Sequence, residues 1–318
     1  MKEKIIHFLK QSGGYVSGEE MSEQLKVSRS AVWKYIDQMR QDGYDIAAVP
    51  HLGYKLEAVP DKLLPHEIQF GLKTKIMGRH IVAFETAGST MDEAFRLGMD
   101  GAPEGTVVCA EAQTKGRGRL GRAWASPKAK GVYCSLILRP QFSPAQMAQL
   151  TLMAAVALAE AIEKVSTVKA RIKWPNDVLT GGRKLAGILT ELRAEMDQVK
   201  FLVIGIGLNV NAAAGHLVPE ATSLKMETGT SFDRVAVLQE ILRSLEFWYG
   251  TLNHGGFKPV IEAWKRYSIT LSKRVRVSDP GGTVEGVAFD LDSDGGLLIR
   301  QDSGAVIKKM AGDVSQWR

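Results

Sequence analysis

Two long apolar runs with strand character, residues 185–192 and 200–210, follow each other with only a short polar segment between them. A crossover connection between parallel strands needs about a dozen residues or more, usually as a helix. The two runs therefore predict an antiparallel hairpin. Further strand-like runs lie at 81–84, 106–110 and 132–138, and helical patterns lie at 91–97, 143–165 and 234–248. The sequence predicts an α/β (α+β) multidomain protein whose central domain, residues 66–270, has a mixed, mostly antiparallel sheet.

The two ends of the chain have different patterns. Residues 1–62 contain three short helical segments and then two strand-like segments around a turn at 51–53, an order typical of a winged helix-turn-helix. Ser17 and Ser28 precede the second and third helical segments and are typical N-cap residues. Residues 271–318 hold short strands separated by Gly and Asp turns. They predict a small SH3-like β-barrel packed on the central domain.

The composition is that of a water-soluble globular protein, with 45% hydrophobic and 24% charged residues. No apolar run has membrane-spanning length and the first residues lack a signal-peptide pattern, so we expect a cytoplasmic protein. The net charge of +6 permits an anionic partner. Cys109 and Cys134 lie in apolar runs, which favours buried, reduced thiols over a disulfide or a nucleophile. The histidines are scattered, so no structural metal is expected.

A basic, glycine-rich segment occupies the middle of the chain. From Gly116 to Trp124 it reads Gly-Arg-Gly-Arg-Leu-Gly-Arg-Ala-Trp, and no acidic residue occurs between Ala112 and Arg139. Glycine lets the backbone approach a ligand closely, and arginine offers a planar fork of donors to carboxylates and phosphates. An indole can also stack on a purine. The segment indicates a loop that binds a nucleotide or another anion; the alternative is a solvated basic loop.

Two further motifs follow this loop. One is Lys173-Trp174-Pro175-Asn176-Asp177 with Lys184-Leu185-Ala186-Gly187 after it, and the other is Gly205-Ile206-Gly207-Leu208-Asn209. The Gly-x-Gly pair alone is weak evidence, and no Walker A or Rossmann spacing is present. In this order, with Ser89-Thr90 and Gln113 upstream, the motifs resemble the catalytic domain of biotin protein ligases. With its N-terminal module, the whole chain resembles the bifunctional biotin ligases and biotin operon repressors of bacteria.

The resemblance implies roles for individual residues. It implies biotin contacts for Ser89, Thr90, Gln113, Gly116, Arg117, Gly118, Arg119, Lys184, Gly187, Gly205 and Gly207. It implies contacts with ATP or the adenylate for Arg119, Arg122, Trp124, Lys173, Asn176, Lys184 and Asn209. The expected catalytic residues are Lys184, Arg117 and Arg119, which offset negative charge, and Asp177, which places the acceptor lysine or acts as its base. Asn176 is the expected oxygen ligand of the Mg²⁺ that accompanies ATP.

Simpler structural interpretations of these residues stay open. They are a helix cap for Ser89 and Thr90, an Asx-turn for Asn176 and Asp177, an exposed strand end for Lys184, an exposed loop amide for Gln113 and a plain core position for Trp124. Met91 stands where the family often has an asparagine, so no ligand contact is assigned to it.

The third helical segment predicts a DNA-contacting surface. Its core-facing positions would be Val32, Tyr35, Ile36 and Met39. Its remaining positions offer Ser28, Arg29, Ser30, Trp33, Lys34 and Arg40 to DNA bases and phosphates. Residues 1–60 contain eight Lys/Arg and eight Asp/Glu, so one module would hold DNA weakly and we expect a homodimer when the adenylate is bound. The alternative is a winged helix that serves only as a protein-interaction or structural module.

The resemblance implies a two-step ligase. Biotin and ATP, with Mg²⁺, give biotinyl-5′-AMP. Biotin then passes to a lysine of the biotin carboxyl carrier domain of acetyl-CoA carboxylase and other biotin-dependent carboxylases. The adenylate would also be the corepressor at the operator DNA of biotin synthesis and transport genes. There are two alternatives. One is a ligase for another carboxylic acid such as lipoate, and the other is a biotin-sensing repressor without ligase activity.

Overall fold

A computed structural model describes residues 1–195 and 198–316. The chain divides into two compact units, Met1–Lys62 and Leu63–Arg318. The last two residues of the predicted C-terminal domain, 317 and 318, lie outside the described part. None of the helices in the described part is long and apolar enough to cross a membrane.

The first unit is a three-helix module with a hairpin, as predicted. Its elements are α1 Lys2–Ser12, α2 Gly18–Leu25, α3 Arg29–Gln41, β1 Asp45–Val49 and β2 Gly53–Ala58, the two strands being antiparallel. Ser17 Oγ accepts the Glu20 N–H at 3.0 Å, and Ser28 Oγ accepts the Ala31 N–H at 3.2 Å. Both predicted caps are therefore confirmed, and they explain where α2 and α3 begin.

The second unit contains two sheets and six helices in its described residues. The helices are α4 Pro65–Gln69, α5 Thr90–Met99, α6 Met147–Val165, α7 Leu224–Thr228, α8 Arg234–Gly255 and α9 Lys258–Tyr267. The larger sheet has β3 Ile81–Phe84, β4 Val107–Ala110, β5 Gly131–Leu138, β6 Arg171–Lys173, β7 Asp177–Thr180, β8 Arg183–Glu195 and β9 Gln198–Asn209. The smaller sheet has β10 Lys273–Asp279, β11 Gly282–Leu291, β12 Leu297–Arg300, β13 Val306–Lys309 and β14 Asp313–Gln316.

The larger sheet runs in the order β3-β4-β5-β9-β8-β7-β6. β3 and β4 are parallel, and the other neighbouring pairs are antiparallel. The predicted mostly antiparallel sheet is confirmed, and so is the predicted hairpin, which is β8 and β9. The strands β6 and β7 were not predicted from the sequence. β6 has only one apolar residue, and β7 begins at Asp177, where an Asx-turn was a possible interpretation.

Helices cover both faces of the larger sheet. α6, α8 and α9 contribute to one large core cluster with the sheet, while Met91 and Ala94 of α5 pack with Phe201 in a second cluster. Residues 152–159 of α6 are all buried, which explains its nearly continuous apolar sequence. The prediction of one helix over 143–165 needs a correction, because a 3₁₀ turn over Pro144–Gln146, closed by a capping box, precedes α6.

The C-terminal strands form one antiparallel sheet in the order β13-β12-β11-β10-β14. The predicted small β domain is present, with β14 as a fifth strand that the sequence pattern did not indicate. In the described residues no ladder joins β13 to β14. The sheet is compatible with an SH3-like domain, but backbone hydrogen bonds do not close it into a barrel.

Both cysteines are free and buried, as predicted. Cys109 of β4 lies opposite Cys134 of β5 in the antiparallel ladder. Burial raises the pKa of the Cys134 thiol to about 12. This thiol stays protonated at neutral pH, which does not suit a nucleophile.

Candidate active site

One pocket collects most of the residues singled out in the sequence. It lies against the larger sheet where β8 and β9 pair, and it is bordered by the Gly/Arg loop, residues 116–122. The predicted residues that line it are Ser89, Thr90, Gln113, Arg117, Gly118, Arg119, Arg122, Trp124, Asn176, Asp177, Lys184, Gly187, Gly205 and Gly207. Sheet pairing and the loop thus bring distant parts of the chain to one site.

The floor of the pocket consists of glycines on neighbouring strands. Gly187 of β8 lies opposite Gly207 of β9. A Cβ atom at Gly207 would lie 2.4 Å from Trp124 Cε2, and one at Gly205 would lie 2.4 Å from Met91 Sδ. The Trp124 indole and the Met91 thioether therefore lie so close to the sheet that a residue with a Cβ atom would not fit beneath them. In this structure Trp124 packs on Gly187 and Gly207, where the sequence predicts contacts with biotin.

Hydroxyl and amide groups line one end of the pocket. Gln113 Oε1 accepts hydrogen bonds from Thr90 N (2.8 Å) and Thr90 Oγ1 (3.1 Å), and Ser135 Oγ donates to Thr90 Oγ1 at 2.9 Å. Gln113 Nε2 donates to Ser126 Oγ at 2.8 Å. This chain of hydrogen bonds fixes the Gln113 amide, which is therefore not a free loop amide.

Ser89 is the exception at this end of the pocket. Its Oγ is buried and has no hydrogen-bond partner in the described part of the chain. It occupies the N-cap position of α5 without making a cap hydrogen bond, so the helix-cap interpretation does not account for it. A buried hydroxyl left unsatisfied costs about 1–3 kcal/mol. A polar ligand group that bonds to Ser89 Oγ would remove that cost.

Arg117 makes contacts with two carboxylates of the protein. Its Nη2 lies 2.7 Å from Asp92 Oδ1, and its Nη1 lies 3.0 Å from Glu191 Oε1. All three side chains are partly exposed, so each ion pair contributes at most about 1 kcal/mol. A ligand carboxylate that binds the Arg117 guanidinium must displace Asp92 and Glu191, and the loss of these two ion pairs costs little free energy.

Arg119 and Arg122 connect the Gly/Arg loop to other parts of the unit. Arg119 donates to Asn176 Oδ1 at 2.9 Å and to Gly312 O at 3.2 Å, and Arg122 pairs with Asp313. Burial lowers the pKa of the Arg119 guanidinium, which still remains charged at neutral pH because arginine begins from so high a value. The C-terminal sheet therefore contributes directly to the site.

Lys184 stands beside the Asp177 carboxylate. Its Nζ lies 2.7 Å from Asp177 Oδ1 and 5.5 Å from the centre of the Trp124 ring. Asn176 is buried, and its Nδ2 donates to Ile188 O at 2.7 Å, which turns its Oδ1 towards the loop. An ammonium has three donor protons, so Lys184 keeps donors for a ligand while it holds Asp177.

Three predicted residues lie outside the pocket lining. Lys173 lines an adjoining cleft that shares several residues with the pocket. Gly116 is buried at the base of the loop. Asn209 is buried on β9, and its Nδ2 donates to Thr222 O at 3.0 Å. In this structure Asn209 therefore holds a neighbouring segment and does not face the pocket.

Some lining residues were assigned no ligand contact from the sequence. They are Met91, Ala123, Cys134, Ile188, Leu189, Ile206 and Asp313. Most of these are apolar, and in a sequence they look like any core residue. Asp313 lies 191 positions from Arg122, its partner, so no local pattern connects the two.

The face of α3 predicted to contact DNA is exposed. Val32, Ile36 and Met39 are buried, whereas Tyr35 is half-buried. All six predicted residues are exposed, and Trp33 is 60% exposed; they are Ser28, Arg29, Ser30, Trp33, Lys34 and Arg40. Arg40 differs, because its Nε donates to Ile46 O at 3.0 Å and so ties α3 to β1.

Comparison with known proteins covers almost the whole chain. A helix-turn-helix domain model matches residues 2–55, the biotin/lipoate A/B protein ligase family model matches 84–209, and the biotin protein ligase C-terminal domain model matches 270–317. The bifunctional ligase/repressor BirA of Bacillus subtilis is 41% identical over 98% of this chain and 96% of its own length. The chain belongs to the biotin protein ligase family.

Other members of the biotin protein ligase family extend the comparison. The bifunctional ligase/repressor BirA of Escherichia coli is 30% identical over 96% of this chain and 94% of its own. A biotin protein ligase from Aquifex aeolicus, solved in complex with biotin and ATP, superposes with a TM-score of 0.64 at 30% identity. That match covers 76% of this chain and 99% of the Aquifex protein.

Proposed function

We propose that this chain is a biotin protein ligase that works in two steps. In the first step a carboxylate oxygen of biotin attacks the α-phosphorus of ATP, the bond to the leaving phosphate oxygen breaks, and biotinyl-5′-AMP and pyrophosphate form. In the second step a lysine ε-amine of the acceptor attacks the acyl carbon, AMP leaves and the amine loses a proton. One observation carries the proposal: the pocket combines the unpaired Ser89 hydroxyl with the cations Arg119 and Lys184.

The first step brings two anions together, the biotin carboxylate and the α-phosphate of ATP, and the cations of the pocket reduce their repulsion. Lys184, Arg117 and Arg119 offset this repulsion and the charge that develops on the phosphoryl oxygens. We propose that Asp177, whose carboxylate lies 2.7 Å from Lys184 Nζ, accepts the proton that the acceptor amine loses in the second step. The Gly/Arg loop would keep water from the mixed anhydride.

The nucleotide would extend from the pocket into the adjoining cleft. Trp124 offers an aromatic face to the adenine, and Lys173 with Arg122 offers charge to the phosphates. Mg²⁺ usually binds substrate phosphates together with one or two protein oxygens. The Asn176 amide supplies such an oxygen, Oδ1, which accepts a hydrogen bond from Arg119 in this structure and would have to exchange it for the metal. We propose that Mg²⁺ enters with ATP and supplies Lewis-acid polarisation of its phosphates.

The name of one relative supports a proposal for the acceptor. A relative from Mycobacterium tuberculosis, 34% identical over 81% of this chain, is named a biotin--[acetyl-CoA-carboxylase] ligase. We propose that this chain modifies a lysine of the biotin carboxyl carrier domain of acetyl-CoA carboxylase and of other biotin-dependent carboxylases, and that it acts in the cytoplasm.

We further propose that the first unit represses transcription of biotin synthesis and transport genes, with biotinyl-5′-AMP as corepressor. The exposed residues Arg29, Ser30, Trp33 and Lys34 offer polar, apolar and charged contacts to DNA. Residues 1–60 contain as many acidic as basic residues, so a second copy in a homodimer would supply the affinity that one copy lacks.

The presence of biotin and ATP should therefore control DNA binding. We expect the affinity for operator DNA to rise sharply when biotin and ATP are both present, because a ligand shifts an equilibrium only towards the state it binds better. The dependence of binding on protein concentration should also steepen. Electrophoretic mobility shifts at one fixed salt concentration would measure both effects. Equal affinity with and without biotin and ATP would contradict the corepressor role and leave the ligase proposal intact.

Two other functions can be separated from this one by a single assay. The chain is incubated with ATP, biotin, lipoate or octanoate, and an apo carrier domain, and mass spectrometry shows which acid is attached to lysine. Transfer of biotin alone supports the proposal. Transfer of lipoate or octanoate would identify a ligase for another acid, and binding of biotin without transfer would identify a sensor without ligase activity.

Arg119→Gly should release the intermediate early. Arg119 connects the Gly/Arg loop to Asn176 and to Gly312, so its loss removes the contacts that hold the loop over the pocket. We expect biotinyl-5′-AMP to leak and to biotinylate lysines of bystander proteins, detected by streptavidin blotting. Arg96→Gly, which removes an exposed arginine of α5 outside the pocket, is the control. Retention of the adenylate as in the parent would show that Arg119 does not close the loop.

A further inference from the structure

The backbone of Lys184 lies where the sheet is incomplete. The ladder between β7 and β8 shifts its register next to Lys184, and β9 pairs with β8 only from Ala186 onward. The segment 220–222 takes the place of β9 beside Lys184. Lys184 N donates to Glu220 O at 2.8 Å, and Thr222 N donates to Lys184 O at 2.8 Å.

Thr222 is fully buried and is held by side chains on two sides. Its Oγ1 donates to a carboxylate oxygen of Glu227 on α7, and its carbonyl accepts a hydrogen bond from Asn209 Nδ2. The same Glu227 oxygen accepts a hydrogen bond at 2.6 Å from Arg183, the residue before Lys184. Glu227 is therefore bonded both to the strand that carries Lys184 and to the segment paired with it.

We propose that Thr222 and Glu227 are positioning residues for Lys184; the inference rests on the adenylation proposed for that lysine. A lysine side chain is a flexible four-carbon stem, so the reach of its ammonium depends on where its backbone is held. Without the Thr222–Glu227 hydrogen bond, Glu227 no longer joins segment 220–222 to the strand that carries Lys184. A misplacement of about 1 Å in a reacting group can lower the rate about a hundredfold.

The hydroxyl of Thr222 can be tested without changing its shape. Thr222→Val keeps the branched side chain and removes the donor to Glu227. We expect single-turnover formation of biotinyl-5′-AMP to slow about tenfold, a partial form of the misplacement effect. Thr222→Ser keeps the hydroxyl and should restore the rate of the parent. Thr228→Val is the matched control, because the Thr228 hydroxyl donates to Leu224 O at 2.9 Å and not to Glu227.

A double-mutant cycle separates positioning of Lys184 from a general effect on the fold. In a Lys184→Ala background, Thr222→Val should leave the residual adenylation rate nearly unchanged, because its effect acts through Lys184. The same tenfold loss in both backgrounds would assign Thr222 to general structure and overturn the proposal. A parent-like rate for folded Thr222→Val would overturn it as well.

A second variant covers a folding failure. If circular dichroism shows that Thr222→Val is unfolded, Glu227→Gln replaces it in the same cycle, because the amide keeps the size of the carboxylate and weakens it as an acceptor. A loss of adenylation rate only in the chain that retains Lys184 would support the proposal. An equal loss in that chain and in the Lys184→Ala chain would overturn it. A parent protein that forms no biotinyl-5′-AMP would contradict the proposed function itself, which is a different result.

Discussion

Replacing Lys184 by alanine is expected to slow the formation of biotinyl-5′-AMP about a hundredfold, or roughly 3 kcal/mol of lost transition-state stabilisation. The ammonium lies in the pocket 2.7 Å from Asp177, so its removal takes away a cation and also leaves a carboxylate without its partner. Both changes make the site more negative where the biotin carboxylate must approach the α-phosphate. Pyrophosphate release in the absence of acceptor measures this step alone.

The expected loss is specific to the position of Lys184. Lys225→Ala removes an exposed lysine of α7 that does not line the pocket, and it should leave pyrophosphate release at the rate of the parent. The melting temperature of both variants should stay near that of the parent, because Lys184 is about one-third exposed and contributes little to the core. An unchanged rate in Lys184→Ala would remove this residue from the active site.

Much of the fold was predictable because its signals are local. Serines before helices, a hairpin without room for a crossover, and a nearly unbroken apolar helix each follow from neighbouring residues. Most of the elements that were not predicted, such as β6 and β14, are short, and tertiary contacts decide whether they form; α9, with ten residues, is the longer exception. Arg234 also shows the effect of tertiary contacts. A charged residue at the start of a helix is usually exposed, but Arg234 is fully buried and pairs with Glu111 at 2.7 Å.

The candidate site was predictable in its residues but not in its contacts. The resemblance of the motifs to those of biotin protein ligases indicated which residues gather, and the glycines and arginines of the loop suit an anionic ligand. They did not indicate that Arg117 faces Asp92 and Glu191, or that Trp124 packs on the glycines where biotin was expected. Such contacts depend on residues far away in the sequence. They also show which protein groups a ligand would have to replace.

Deleting residues 1–62 is expected to abolish specific operator binding and to preserve adenylation. All the residues proposed to contact DNA lie in the first unit. The affinity should fall to the non-specific level, at least about a thousandfold below the specific one. Leu63 is buried, and its N–H donates to Glu111 Oε1 at 2.7 Å within the second unit, so a cut before Leu63 keeps the contacts of that unit. Fluorescence anisotropy with operator DNA and pyrophosphate release would measure the two activities.

The two activities also permit a point variant as a control for the deletion. Trp33→Ala in the full chain removes a side chain that is 60% exposed on α3, so it should weaken operator binding and leave both the fold and adenylation unchanged. Operator binding by the truncated chain would place the DNA contacts in the second unit and contradict the proposed role of α3. The catalytic pocket is built only from residues after Lys62, so the truncated chain retains all of it. A truncated chain that is folded but forms no biotinyl-5′-AMP would therefore show that the ligase activity also needs the first unit.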